Sequence, residues 1–278
     1  MPLFAFLLVI LAATLHALWN FAAKKASGNL SVIWVGLVIA TAALIPFLFL
    51  LSPEQIFVSK AWPFVLATGI IHAVYFFALA KAYEHGDISV VYPISRGSGI
   101  AGTAIIACLL LQEEISSVGT VGILLISLGT LLLGLTNIHQ KRGIFFSLLV
   151  AIMIIGYSIV DKQGVGIIHP LGYIFGLVLL TTIFLAPYIL INKQQELLSA
   201  MKNMKKYSLI IGLGSGGTYL IILFVFQMAP VSYVVAAREV AVAFGTLLGI
   251  LFLKEQSTAQ KIICITGIVI GMLLIKLA

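Results

Sequence analysis

Residues 85–100 read His85-Gly-Asp-Ile-Ser-Val-Val-Tyr-Pro-Ile-Ser-Arg96-Gly-Ser-Gly-Ile100, and the run stays largely apolar to Gln112. An arginine therefore sits inside a segment otherwise long and apolar enough to cross a bilayer. A second segment, Pro230-Val-Ser-Tyr-Val-Val-Ala-Ala-Arg238-Glu-Val-Ala-Val-Ala-Phe-Gly245, repeats the pattern late in the chain: a helix-starting turn, a Ser, a Tyr, then an Arg followed by small residues. Two buried arginines in corresponding places point to a site.

Working outward, 62% of the 278 residues are hydrophobic and 9% are charged, against about 25% charged in soluble domains. A polytopic membrane protein follows. Spanning the hydrocarbon takes about 20 apolar residues, and the chain divides into ten such runs: Leu3 to Ala23, Leu30 to Leu51, Pro63 to Tyr83, Ile88 to Gln112, Val118 to Leu135, Gly143 to Val160, Leu171 to Ile191, Tyr207 to Met228, Val231 to Leu253 and Ala259 to Leu277. Lipid offers the backbone no hydrogen-bond partners, so spanning segments are helices or closed barrels, and runs this long select helices. The predicted fold is an all-α integral membrane bundle of ten transmembrane helices.

The connections are short, and the longest, Asn192 to Lys206, holds too little chain for a separate catalytic domain. The first run has no positive leader before it and no small-x-small cleavage site after it, so it reads as a retained helix. Cys108 and Cys264 fall inside spans and read as small core residues, not as a disulfide or a metal site.

The net charge of +7 is resolved by where the charges lie. Lys24, Lys25, Lys81, Lys141, Arg142, Lys193, Lys202, Lys205, Lys206, Lys254 and Lys261 follow odd-numbered helices; Lys60, Lys162 and Lys276 lie on the other side. The positive-inside rule then places both termini outside and the odd connections in the cytoplasm. Basicity is a topology signal here, and no nucleic-acid partner is implied.

Laying Arg96 on Arg238 is a shift of 142 residues, and the same shift carries Gln112-Glu113-Glu114 onto Lys254-Glu255-Gln256 and Gly129 onto Gly271. Trp19-Asn-Phe-Ala-Ala-Lys24 lies on Tyr157-Ser-Ile-Val-Asp-Lys162 with a shift of 138. The chain reads as two five-helix repeats, 1–138 and 139–278. An odd number of spans per repeat inverts the second copy, as in many secondary transporters.

These residues also carry a resemblance. Leu15-His-Ala-Leu-Trp-Asn-Phe-Ala-Ala-Lys24, the Tyr83 to Arg96 entry to the fourth helix, the Leu-Leu-Gln-Glu-Glu114 close of that helix and Leu-Phe-Leu-Lys-Glu255 closing the ninth are similar to the EamA branch of the drug/metabolite transporter superfamily. The resemblance covers essentially the whole chain. It implies a multi-pass transporter of the cell membrane for amino acids, other small metabolites or drugs. It also implies both termini in the cytoplasm, opposite to the charge count.

An arginine at mid-bilayer costs at least about 2.5 to 3.5 kcal/mol, so such residues face a cavity or a partner. One reading of Arg96 and Arg238 is that their planar forks bind a carboxylate or phosphate-like group of a substrate. The other is an ion pair with Glu239, which cannot by itself neutralise two arginines. Tyr92, Ser95, Arg96, Gly99 and Thr103 form one helical stripe, whose glycines favour packing. Gly245 and Gly249 read as a GxxxG packing contact. His16, Trp19 and Asn20 share a face of the first helix. His72 with Tyr75, Tyr157 with Asp161, and Tyr219 with Gln227 make similar pairs. The expected substrate-binding residues are His16, Trp19, Asn20, His72, Tyr75, Tyr92, Arg96, Tyr157, Tyr219 and Arg238. Tyr83 and Tyr233, near helix ends, read as interface anchors. Glu239, His16 and Asp161 are the titratable groups that can couple transport to protons, and Glu239 is assigned either to coupling or to an ion pair.

The expected function is a secondary-active transporter, an exporter of a small zwitterionic or anionic metabolite, working by alternating access at a midplane site as a monomer or homodimer, with no cofactor. A cationic-drug exporter of the same fold and an intramembrane lipid-modifying enzyme are the alternatives. The second lacks a converging acid/base pair, a metal-ligand spacing or a nucleophile elbow in the sequence.

Overall fold

A computed structural model describes residues 1–26, 29–56, 58–134, 140–244 and 258–278, in which all regular structure is helical. The long helices follow the apolar runs closely. They are α1 (Leu3–Lys25), α2 (Leu30–Leu48), α4 (Trp62–His85), α5 (Ile88–Leu110), α6 (Ser117–Gly134), α7 (Lys141–Gly164), α8 (Pro170–Asn192), α10 (Lys205–Phe226) and α12 (Ala259–Leu277). Nine helices among the described residues are long and apolar enough to span. The predicted ninth run is represented by α11 (Val231–Ala237) and by residues 240–244, which are helical again after a turn. Its remainder, with Gly245, Gly249 and the Lys254-Glu255 pair, lies outside the described residues.

Local chemistry sets the ends. Asn29 caps α2 by accepting from the Ser31 and Val32 amides, and Pro170 opens α8, where its missing N–H costs nothing. The predicted sixth helix ends at Val160, before Asp161 and Lys162, yet α7 runs on to Gly164. Those charges are satisfied inside the protein, so they do not end the helix. The connection after α8 also differs from expectation: it contains a short helix, α9 (Gln194–Asn203). Ala200 of α9 packs with Ala22, Ala26, Val32 and Ile211. A four-residue helix, α3 (Pro53–Ile56), precedes α4.

Packing pairs the two halves of the chain. α4 packs on α7 and α8, and its counterpart α10 packs on α1 and α2. α6 packs on α12, where a Cβ on Gly122 would meet the Gly271 carbonyl at 2.7 Å and one on Gly129 would meet the Cys264 carbonyl at 3.1 Å. Rising numbers on α6 meet falling numbers on α12, so these two helices are antiparallel. Small residues permit this approach because lipid tails are as apolar as side chains, leaving close backbone packing to hold membrane helices together. Gly99 fits against Ile154 and Gly97 against Leu131, so the glycines beside Arg96 serve packing. The outer surface is apolar: Leu7, Leu109, Ile152 and Ile263 are exposed, as suits residues facing lipid.

Candidate functional site

The site is built where one helix breaks. Up to Arg238 the amides of α11 bond four residues back, Arg238 N–H to the Val234 carbonyl at 3.0 Å. Glu239 N–H then bonds to Ala236, Ala241 N–H to Arg238 and Val242 N–H to Glu239, all three residues back. Arg238 and Glu239 occupy this tightened turn, deep in the protein at 3% and 1% exposure. The sequence carries no Pro or Gly at the break, so apolar run length alone predicts one continuous helix there.

Arg96, 4% exposed, reaches the break from α5. Its Nη2 donates to Glu239 Oε1, and Arg238 Nε lies 3.8 Å from the same oxygen. The expected ion pair is therefore present, and it involves both arginines. One carboxylate between two guanidiniums leaves a net positive charge. Arg238 Nη2 donates to the Tyr157 hydroxyl at 3.4 Å, and the Arg96 guanidinium lies 5.9 Å from the Tyr92 ring centre, within cation–π reach. Among the described residues, buried Arg96 Nε, Arg238 Nε and Glu239 Oε2 have no hydrogen-bond partner. Buried polar atoms are normally satisfied, so the triad presents two donors and one acceptor suited to a polar group.

Aromatic rings surround it. His72 stacks on Tyr157 at 4.4 Å and meets Tyr219 at 5.5 Å and Tyr75 at 6.2 Å. Its Nδ1 is held 3.0 Å from both oxygens of Thr68. His16 on α1 stands within electrostatic range of both arginines. His16, Tyr75, Tyr92 and Tyr219 are half-buried. A separate cavity of about 430 Å³ between α2, α4 and α8 is lined by Ile45, Leu48, Val65, Phe175 and other residues outside the site.

Of the ten expected binding residues, Arg96 and Arg238 lie on Glu239, Tyr92 and Tyr157 meet those arginines, and His16, His72, Tyr75 and Tyr219 stand within electrostatic range of at least one of them. Trp19 and Asn20 stand apart. Trp19 packs edge-on against His16 at 4.8 Å and against the backbone of Gly214 on α10, while Asn20 Nδ2 turns back to the His16 carbonyl at 2.8 Å.

The profile of the EamA-like transporter family matches residues 3–135 and again 141–277. The chain belongs to the EamA-like transporter family. No curated protein sequence matches it. A solved crystal structure, described only as that of a protein, superposes with a TM-score of 0.77 at 16% identity, covering 98% of this chain and 97% of its own; at that identity it shows the fold alone. Family membership makes the protein a multi-pass membrane transporter with a small-molecule substrate.

Two features of this EamA-like transporter were not legible beforehand. Asp161, fully buried, accepts from the hydroxyls of Tyr173 at 2.8 Å and Tyr219. Tyr173 comes from a helix whose sequence shows no polar stripe, so only packing could reveal it. The second is a set of clasps at one end of the bundle. Glu113 caps α11, accepting from Val231 N–H at 2.6 Å, Ser232 N–H at 3.2 Å and the Ser232 hydroxyl at 2.7 Å. Lys162 Nζ donates to the Phe226 and Ala229 carbonyls, and Gln227 donates to the Val165 carbonyl at 2.7 Å. Tyr233, expected at the membrane interface, is instead buried, its hydroxyl accepting from Ser116 N–H at 3.0 Å. Tyr83 is half-buried. Tyr233 follows packing geometry that its position near a helix end did not disclose.

Proposed function

We propose that this protein is a secondary-active exporter of a small zwitterionic or anionic metabolite, such as an amino acid, a phosphonate or an organic acid. The substrate binds near the midplane between two inverted five-helix repeats, 1–138 and 139–278, with ten spans in all. The antiparallel pairing of α6 with α12 and the matching partners of α4 and α10 support the inversion.

One observation carries the substrate class: the Arg96–Glu239–Arg238 triad, with its net positive charge and with Arg96 Nε, Arg238 Nε and Glu239 Oε2 making no hydrogen bond among the described residues. Planar guanidiniums suit a carboxylate or phosphonate, and the free carboxylate oxygen suits an ammonium on the same molecule. The net charge weighs against a cationic drug. The aromatic walls accommodate an organic body.

Alternating access by rocking of the repeats agrees with the clasps at Glu113, Lys162, Gln227 and Tyr233, all beside even-numbered connections. By the charge count that end is outside, so this state is closed to the exterior and both termini are extracellular. Cysteine labelling in the connection between α8 and α10 checks the orientation.

The test is a thermal-shift screen of detergent-purified protein against amino acids, phosphonates and organic acids, since ligand binding to the folded state raises its stability by mass action. A hit that stabilises the wild type but neither Arg96→Ala nor Arg238→Ala, and whose uptake into proteoliposomes falls in both variants, supports the reading. Undiminished uptake by both variants overturns it.

A further inference from the structure

Two carboxylates are buried among the described residues, Asp161 and Glu239. They are held in different ways. Glu239 lies against guanidiniums, which donate hydrogen bonds and never accept them. Asp161 is 0% exposed, and among the described residues it forms no ion pair. Its neighbours are hydroxyls: Tyr173 donates to Oδ1 at 2.8 Å, Tyr219 donates to Oδ2, and Thr68 stands beside them.

A hydroxyl can donate to a carboxylate and, after turning, accept from a carboxyl. A guanidinium partner fixes the ionised state; a ring of hydroxyls serves both states. We propose that Asp161 is the proton-binding site of this transporter, taking the coupling proton on Oδ2 and passing the change of state through Tyr219 and Tyr157 to Arg238 in the substrate site. The proposal rests on the transport function above and assigns to Asp161 the coupling role for which Glu239 was a candidate.

Groups from several elements surround Asp161 among the described residues. From α4 come Thr68 and His72, whose Nδ1 is held by Thr68. From α8 comes Tyr173, from α10 Tyr219, and from the broken helix Arg238, within electrostatic range but not in contact. α5 contributes Arg96, which is occupied by Glu239. On α7 itself, Tyr157 lies one turn before Asp161, and Lys162 points away to the Phe226 and Ala229 carbonyls.

In the protonation step hydronium gives a proton to Oδ2 and leaves as water, turning the carboxylate into a carboxyl whose new O–H donates to the Tyr219 oxygen. The Tyr219 O–H, no longer needed as donor, turns away. The Tyr219 ring stands edge-on to Tyr157 at 5.9 Å, and the Tyr157 hydroxyl accepts from Arg238 Nη2 at 3.4 Å. The α4 residues and Arg96 belong to the first half of the chain and the others to the second, so a change at Asp161 acts across the interface that must rock.

The experiment is pH-difference infrared spectroscopy of the full chain in lipid nanodiscs without substrate, with the proton as the probe. Acidification of the wild type should produce the carbonyl stretch of a protonated buried carboxyl. That band should be lost in Asp161→Asn and kept in Glu239→Gln. Tyr219→Phe removes a donor to the ionised form and should retain the band to higher pH than the wild type. A wild-type spectrum from Asp161→Asn, or loss of the band in Glu239→Gln, overturns the proposal. Should Asp161→Asn fail to fold, Tyr173→Phe and Tyr219→Phe decide instead: shifted titration supports the site, and unchanged titration in both overturns it. Because no substrate is present, failure of the arginine variants to alter ligand binding would refute the substrate site and leave this result standing.

Discussion

Replacing Glu239 with Gln keeps the side-chain shape and removes the negative charge that two arginines share. Arg96 and Arg238 both lie on Glu239 Oε1, the second at 3.8 Å. With an ordinary charge-assisted hydrogen bond of about 2.9 Å on the other side, the two guanidinium nitrogens are at most about 7 Å apart. Two like unit charges at that distance repel by about 2.4 kcal/mol at an effective dielectric of about 20. Removing one partner of a buried pair costs about 3 to 5 kcal/mol in other proteins. Arg96→Met, by contrast, leaves Glu239 beside Arg238, one charge of each sign. Glu239→Gln should therefore be the less stable of the two by about 2 kcal/mol, and the double variant should recover part of the loss. Thermal denaturation of the purified variants, followed by tryptophan fluorescence under one detergent condition, gives the ranking. Wild-type stability for Glu239→Gln, or a lower stability for Arg96→Met, would refute the shared-carboxylate account.

Three further outcomes follow from packing and capping. Gly122→Leu, whose Cβ would already meet the Gly271 carbonyl at 2.7 Å, should destabilise by about 1 to 3 kcal/mol through overpacking; Gly217→Ala, with no atom within 4 Å of its added carbon, should leave the melting temperature unchanged. Glu113→Ala removes three acceptor contacts from the start of α11 and should cost about 1 to 2 kcal/mol, with faster hydrogen exchange at Val231 and Ser232. Gly164→Ala places a carbon 2.7 Å from Tyr173 Cζ, so it should displace the ring and lower thermal stability, and Tyr173→Phe should relieve part of that loss.

Much of the fold was written in hydropathy. Lipid admits few backbone arrangements, so the span ends of α1, α5 and α12 could be placed to within about two residues from apolar run length alone. The clustering of Arg96, Arg238, Tyr157 and Tyr219 was likewise legible, because polar residues are too costly in lipid to be placed without a partner or cavity.

The sequence by itself determined a helical membrane protein in two like halves with arginines inside it, because the solvent is hydrocarbon and each charge within a span stands out against it. Tertiary structure alone decided that α11 breaks at Arg238 and Glu239, that Glu239 serves both arginines, and that Tyr173 joins Tyr219 on Asp161. Those outcomes depend on which faces of distant helices meet. Periodicity along one chain fixes a face of a helix, but only packing chooses its partner.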